Sequence, residues 1–173
     1  MGRKKTDISG KKFKNLLAIR PSYVKNKKYL YWECRCDCGE TCFATSTDLN
    51  RGRINYCKKC SEKKSHRSNL ELLYGNYKRN SSKRNLFFDL SIDEFDILIK
   101  SNCFYCGIEP SQIFYKKGMK FSLKYNGVDR IDNNLGYKIE NCVTACKFCN
   151  LAKRGFELNE FMEWINKIKK TIN

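Results

Sequence analysis

The chain has 173 residues, enough for one ordinary domain or two small ones, and carries 35 Lys and Arg against 18 Asp and Glu, a formal net charge of +17. An excess of this size points to a polyanionic partner, and nucleic acid is the expected one. No run approaches 18 apolar residues, so no membrane-spanning helix is expected. No apolar core follows the basic start Met1-Gly2-Arg3-Lys4-Lys5, so the 11 cysteines are expected as metal ligands in a reducing, cytoplasmic setting rather than as disulfides of a secreted domain.

In chain order, Phe13–Ile19 reads as a strand, 25–28 as a lysine-rich turn, and Tyr29–Cys34 as a second, aromatic strand. Cys34-Arg35-Cys36-Asp37-Cys38 follows, then a strand over Thr41–Ser46, a turn at Asn50-Arg51-Gly52, and Cys57-Lys58-Lys59-Cys60. A cysteine cluster before a hairpin and a C-x-x-C after it read as a zinc ribbon. Cys36, Cys38, Cys57 and Cys60 are the favoured ligands; Cys34 competes with Cys36, and the spacing does not choose between them. Cys42 and Cys142 read as buried thiols. Residues 1–65 hold 17 basic and 6 acidic side chains, net +11, against +1 for 66–100 and +5 for 101–173. The ribbon therefore reads as the phosphate anchor, with Lys4, Lys5, Lys11, Lys12, Lys58, Lys59, Lys63 and Lys64 as candidates.

Ser68-Asn69-Leu70-Glu71 matches a capping box and predicts a helix with Leu70, Leu73, Tyr74, Tyr77 and Ser81 on one face. Lys78, Arg79, Lys83 and Arg84 stand on the other face as candidate contacts to DNA. Ser91-Ile92-Asp93-Glu94 is a second capping box, opening a scaffold helix through Ile99 with Phe95 and Leu98 inward. His66, the only histidine, is a weak catalytic candidate outside any motif. At the end of the chain Asn159 can cap a last helix, whose stripe Phe161, Trp164, Ile165, Ile168 and Ile172 is expected to pack on the core or to form a dimer interface.

Cys103-Phe104-Tyr105-Cys106 and Cys146-Lys147-Phe148-Cys149 bracket a segment that reads as strand, turn, strand and helix. Four thiolates from two C-x-x-C pairs close a structural zinc shell, so a second Zn²⁺ is expected here. Gly127–Ile131 alternates as a strand, Asp132–Gly136 has turn chemistry, Cys142–Ala145 is β-branched, and 147–155 reads as a short helix. That arrangement places Asp129 near Asn150, whose oxygens could hold a hard cation such as Mg²⁺.

Val128-Asp129-Arg130-Ile131-Asp132-Asn133, Gly136-Tyr137, Glu140-Asn141-Cys142-Val143 and Cys146-x-x-Cys149-Asn150-x-Ala152-Lys153 resemble the HNH, or ββα-metal, nuclease family in its zinc-clamped form, over residues 78–155. The ribbon is similar to modules at the front of phage HNH proteins. The resemblance implies a small α+β fold: a zinc-stabilised ββα-metal nuclease core plus an N-terminal β-rich zinc ribbon. It implies domains at 1–65 (basic ribbon), 66–100 (helical linker or scaffold) and 101–173 (nuclease with a C-terminal helix). It also implies a DNA endonuclease of homing or restriction type, in a phage or bacterial host cell, acting on double-stranded DNA as a monomer or homodimer.

In that family the residues matching Asp129 and Asn150 bind the catalytic Mg²⁺ or Mn²⁺, and the one matching Asn141 braces the loop. Arg130 stands where the family commonly has a histidine base. A guanidinium stays protonated, so Arg130 is expected to clamp the phosphate instead. Tyr105, matched by a tyrosine in a zinc-clamped member, and Asp132 are the candidates for acting on the nucleophilic water. Lys153 and Arg154 join the expected DNA contacts. Two other readings stand beside the nuclease: an inactive zinc protein that binds DNA through a degenerate HNH fold, and an RNA-binding or ribosome-associated zinc protein.

Overall fold

The computed structural model describes residues 6–23, 29–115, 118 and 121–172. Lys4, Lys5 and the turn at 25–28 lie outside the described residues. The chain divides into two compact units, Met1–Lys64 and Ser65–Asn173. The whole is a small mixed α and β protein with antiparallel sheets.

The first unit is a four-stranded antiparallel sheet in the order β1 (Lys12–Phe13), β2 (Leu16–Ser22), β3 (Tyr31–Cys36), β4 (Thr41–Ala44). Alternation decides its faces: Leu16 and Ala18 on β2, and Trp32, Cys34 and Cys36 on β3, are buried together with Ile8, Phe13, Ala44 and Leu49. The strand expected over Phe13–Ile19 is broken. Phe13 pairs with Leu16 across a two-residue loop, and Lys14 turns the chain at φ 54°. The strand expected to reach Ser46 ends at Ala44, because Thr45 caps a short helix α1 (Ser46–Asn50) by accepting the Asp48 N–H.

Helix α2 (Lys58–Lys83) begins in this unit, and its residues from 65 onward belong to the second. Ser68 is therefore an interior residue rather than a cap. The expected inward face is present: Leu70, Leu73 and Ser81 are buried and Tyr74 and Tyr77 half-buried. The second unit continues with α3 (Ile92–Lys100), opened by the expected capping box in which Ser91 and Glu94 bond reciprocally. A hairpin of β5 (Gln112–Phe114) and β6 (Leu123–Tyr125) follows, then β7 (Gly127–Arg130), β8 (Cys142–Ala145), α4 (Lys147–Lys153) and α5 (Leu158–Ile172).

Leu70, Leu73, Leu90, Phe95, Ile99, Leu123, Val128, Tyr137 and Cys142 form the core of this unit. Tyr77 meets Phe95 and Tyr137 edge-on at 5.0 and 6.1 Å between ring centroids. Asn159 lies inside α5 rather than before it; the Glu160 carboxylate accepts the Glu157 N–H at 3.2 Å. Of the apolar stripe, Phe161 is buried, whereas Trp164 and Ile168 are exposed, so the stripe as a whole is not packed on this unit. The side chain of Ile172 lies outside the described residues.

Candidate active site and zinc centres

Two sets of four cysteines converge, Cys36, Cys38, Cys57, Cys60 and Cys103, Cys106, Cys146, Cys149, with all sulfurs of a set within 4.8 Å of one another. The Sγ atoms of Cys38 and Cys57 are 3.6 Å apart and those of Cys106 and Cys146 3.8 Å. Four sulfurs about 2.3 Å from a tetrahedral Zn²⁺ lie about 3.8 Å from each other, so both sets fit structural zinc. Cys36, not Cys34, belongs to the first set; Cys34 is buried in the sheet with its thiol on the Trp32 carbonyl at 3.5 Å.

In each set the third sulfur opens a helix. Cys57 Sγ accepts the Cys60 N–H at the start of α2, and Cys146 Sγ accepts the Cys149 N–H at the start of α4, both at 3.4 Å. Burial raises the Cys36 thiol, but hydrogen bonds from the Cys38 and Cys57 backbone outweigh it and bring the group to about 7. Cys103 is likewise raised by burial and brought down to about 7 by backbone bonds from Cys146, Cys106 and Tyr105. Cys42 and Cys142 are pushed up to about 12, chiefly by burial, and remain thiols as expected.

The second cluster ties down a ββα unit. Strand β7 pairs antiparallel with β8, with Asp129 opposite Val143 and Arg130 opposite Cys142. The first knuckle is braced by Asn126, fully buried, whose amide donates to Ser101 O at 3.1 Å and Ile108 O at 3.2 Å. The Phe104 N–H bonds to Thr144 O at 2.8 Å, fixing the knuckle to β8. Helix α4 lies across one face of β7. A Cβ on Gly127 would stand 3.6 Å from Asn150 Nδ2 and 3.2 Å from Tyr77 Oη, so Asn150 sits over Gly127. One turn later, Lys153 Nζ donates to Arg130 O at 2.8 Å and lies 3.3 Å from Asp129 Oδ2. Gly127 and Asp129 share a strand face, and Asn150 and Lys153 a helix face, so Asp129 and Asn150 are on the two facing elements.

Asp129 is 7% exposed. Tyr105, between the two ligands of the first knuckle, donates its hydroxyl to Asp129 Oδ2 at 2.7 Å. The described partners of the carboxylate, Tyr105 and Lys153, both meet Oδ2, so Oδ1 is the oxygen that could take a cation. With the amide oxygen of Asn150, the donor set is the hard-oxygen type that Mg²⁺ or Mn²⁺ accepts. Burial, and the carboxylate it bonds, push the Tyr105 phenol well above the usual range for tyrosine, so it is held as a donor.

The remaining expected residues fall into distinct places. Arg130 turns its guanidinium to its own loop: Nη1 donates to Asn133 O and Leu135 O, each at 2.6 Å, and the group lies 5.5 Å from the Tyr137 ring centroid. Asp132 caps the same loop by accepting the Asn134 N–H at 2.7 Å. Asn141 braces it with three bonds, donating to Asp132 O and Gly136 O and accepting the Asp132 N–H. Lys78, Arg79, Lys83, Arg84 and Arg154 are exposed. Lys153, expected among the DNA contacts, is 0% exposed and bound inside the ββα unit. His66 faces Asp96 of α3 at 3.4 Å, and burial lowers its pKa.

Two supporting contacts lie beyond what the sequence reading named. Tyr77 accepts the Val128 N–H at 3.1 Å, holding α2 against β7. Gly136 passes so close to the Phe87 carbonyl that a Cβ would overlap it, and the Tyr137 N–H bonds to that carbonyl at 2.8 Å. Tyr137 in turn accepts from Arg84 at 2.8 Å. Tyr77 stood on the expected inward face; nothing in its spacing pointed to a polar role.

No family model matches the sequence. The chain is 38% identical over 89 residues to an uncharacterized protein of Acanthamoeba polyphaga mimivirus, a match covering 51% of this chain and 15% of that protein. It is 27% identical over 118 residues to the SPbeta prophage-derived putative HNH endonuclease YoqL of Bacillus subtilis, covering 67% of this chain and 49% of the relative. The matched stretch thus spans less than half the length of either curated relative. A solved structure of the rare-cutting HNH restriction endonuclease PacI aligns with a TM-score of 0.44 and 22% identity, over 78% of this chain and 91% of that one. The resemblance to HNH proteins thus goes with a distant relative described as a putative HNH endonuclease and with two four-cysteine clusters of zinc geometry.

Proposed function

We propose that the chain is an endonuclease that hydrolyses phosphodiester bonds of double-stranded DNA with Mg²⁺ or Mn²⁺ held by Asp129 and Asn150. The observation that carries this reading is the buried carboxylate of Asp129, facing the helix that bears Asn150 across a zinc-clamped ββα unit. Tyr105 and Lys153 meet one oxygen of this carboxylate, and the other can serve a cation. The cation would supply Lewis-acid stabilisation of the phosphate and of the leaving oxygen. Asp129 and Asn150 orient the donor oxygens. Tyr105 donates to Oδ2 and so fixes which carboxylate oxygen faces the substrate. Arg130 holds the turn through Asn133 and Leu135. Lys78, Arg79, Lys83, Arg84 and Arg154 take backbone phosphates, and the +11 ribbon anchors the duplex non-specifically.

One observation favours a second reading, a zinc-dependent DNA-binding protein without activity. Arg130 occupies the position of the usual histidine base, and its guanidinium is engaged by loop carbonyls. Nicking of supercoiled plasmid separates the two readings: relaxed and linear products that require Mg²⁺ or Mn²⁺ are expected, and binding without cleavage in any divalent cation would establish the inactive binder.

A further inference from the structure

Among the described residues, Lys153 is the only Lys or Arg that is buried, and it is buried completely. Its ammonium does not reach a phosphate. It is held between the Arg130 carbonyl at 2.8 Å and Asp129 Oδ2 at 3.3 Å, on the carboxylate assigned above to the catalytic cation. Burying an ammonium is costly unless it is paired and hydrogen-bonded, and here both conditions are met by β7 alone. Lys153 is the last residue of α4, whose opposite end carries Cys146 and Cys149 of the four-cysteine cluster, and its ammonium bonds to β7.

We propose that Lys153 is a positioning residue that keeps the cation site weak in the free protein and couples cation binding to the arrival of DNA. The proposal rests on the assignment of Asp129 and Asn150 as the cation ligands. With Tyr105 and Lys153 both on Oδ2, an added divalent ion must bind through Oδ1, within roughly 7 Å of the ammonium at ordinary Mg–O distances. In a partly buried site that repulsion is poorly screened. A phosphodiester brings a negative charge to the same place, so bound DNA offsets the ammonium and the ion then binds. By linkage the ion strengthens DNA binding by the same factor. The pairing also keeps Asp129 compensated while no ion is present, so the ββα unit does not depend on the catalytic cation for its packing.

The test is Mn²⁺ titration of the zinc-loaded protein, read by the electron paramagnetic resonance of free Mn²⁺, with and without a short duplex at low ionic strength. Wild-type protein should bind Mn²⁺ weakly alone and on the order of tenfold or more tightly with duplex. Lys153→Gln, which keeps an N–H for the Arg130 carbonyl and removes the charge, should tighten binding in the free protein and shrink the enhancement by duplex. Lys153→Arg should retain the wild-type pattern. Retained zinc shows that a variant is folded; should the Gln variant lose zinc, Lys153→Met asks the same question. Free-state affinity that is unchanged or weaker in the neutral variant overturns the proposal and leaves the cation assignment standing. A wild-type protein whose Mn²⁺ affinity does not respond to duplex also overturns it. If wild type binds no Mn²⁺ under either condition, the assignment of Asp129 and Asn150 fails, and this proposal with it.

Discussion

The two cysteine clusters are built alike and surrounded differently. Each has a knuckle from one segment and a C-x-x-C that opens a helix, with the third sulfur accepting the N–H of the fourth cysteine at 3.4 Å. In the first unit the cluster adjoins a four-stranded sheet, a buried Cys34 and lysines 58 and 59 at the start of α2. In the second it adjoins a buried carboxylate, a tyrosine aimed at that carboxylate and a buried lysine. The same four-sulfur geometry thus sits in two different settings, and the difference lies in residues outside either cluster.

The largest expected effect comes from taking the second cluster apart. Structural zinc supplies folding free energy on the order of 10 kcal/mol in small domains. Cys106→Ser should therefore reduce the zinc content from two per chain to one, by elemental analysis, and abolish cleavage. Retention of both zinc ions by that variant would break the comparison at its root. Next is the equivalent change in the first unit. Cys38→Ser should also lose one zinc, but its main consequence should be weaker duplex binding with a shallower dependence on salt, because a protein that neutralises fewer phosphates releases fewer counterions. Fluorescence anisotropy across a salt series measures this, and a salt slope equal to wild type would remove the ribbon as the anchor.

Smaller effects sharpen the comparison within the second unit. Arg130→Ala removes a guanidinium next to Asp129 in sequence and its two bonds to the turn, and should slow cleavage by about 100-fold at unchanged zinc content. Tyr105→Phe removes one hydrogen bond to Asp129, worth about 1.5 kcal/mol, and should slow cleavage by about tenfold. A loss of many hundredfold from the latter in single-turnover assays would mean that the hydroxyl acts on the reacting water rather than on the carboxylate.

Much of the second unit was legible in the sequence. The strand at Cys142–Ala145 has the bounds expected, because four β-branched or small residues stand between a turn and a zinc ligand. The Ser91 capping box was readable because its two bonds are local. Cysteine spacing placed both clusters but could not choose between Cys34 and Cys36. Both residues lie on the same face of β3, and only Cys36, at the end of the strand, has its sulfur in the cluster. The start of α2 was hidden for a related reason. Residues 58–68 carry no apolar period, and the first turn is held by the Cys57 sulfur rather than by a Ser or Asp cap. The break at Lys14 was hidden because φ 54° at a lysine is a cost that propensity does not anticipate. Lys153 was misplaced on the surface since its partners lie 23 and 24 residues away, and only the docking of α4 on β7 brings them together.

The most direct test of the central claim compares wild type and Asp129→Ala, both carrying two zinc ions and binding duplex with matched affinity, in single-turnover cleavage with Mg²⁺ and with Mn²⁺. The account predicts cleavage by wild type in both cations and none above background by the variant. Cleavage by Asp129→Ala at the wild-type rate would contradict it.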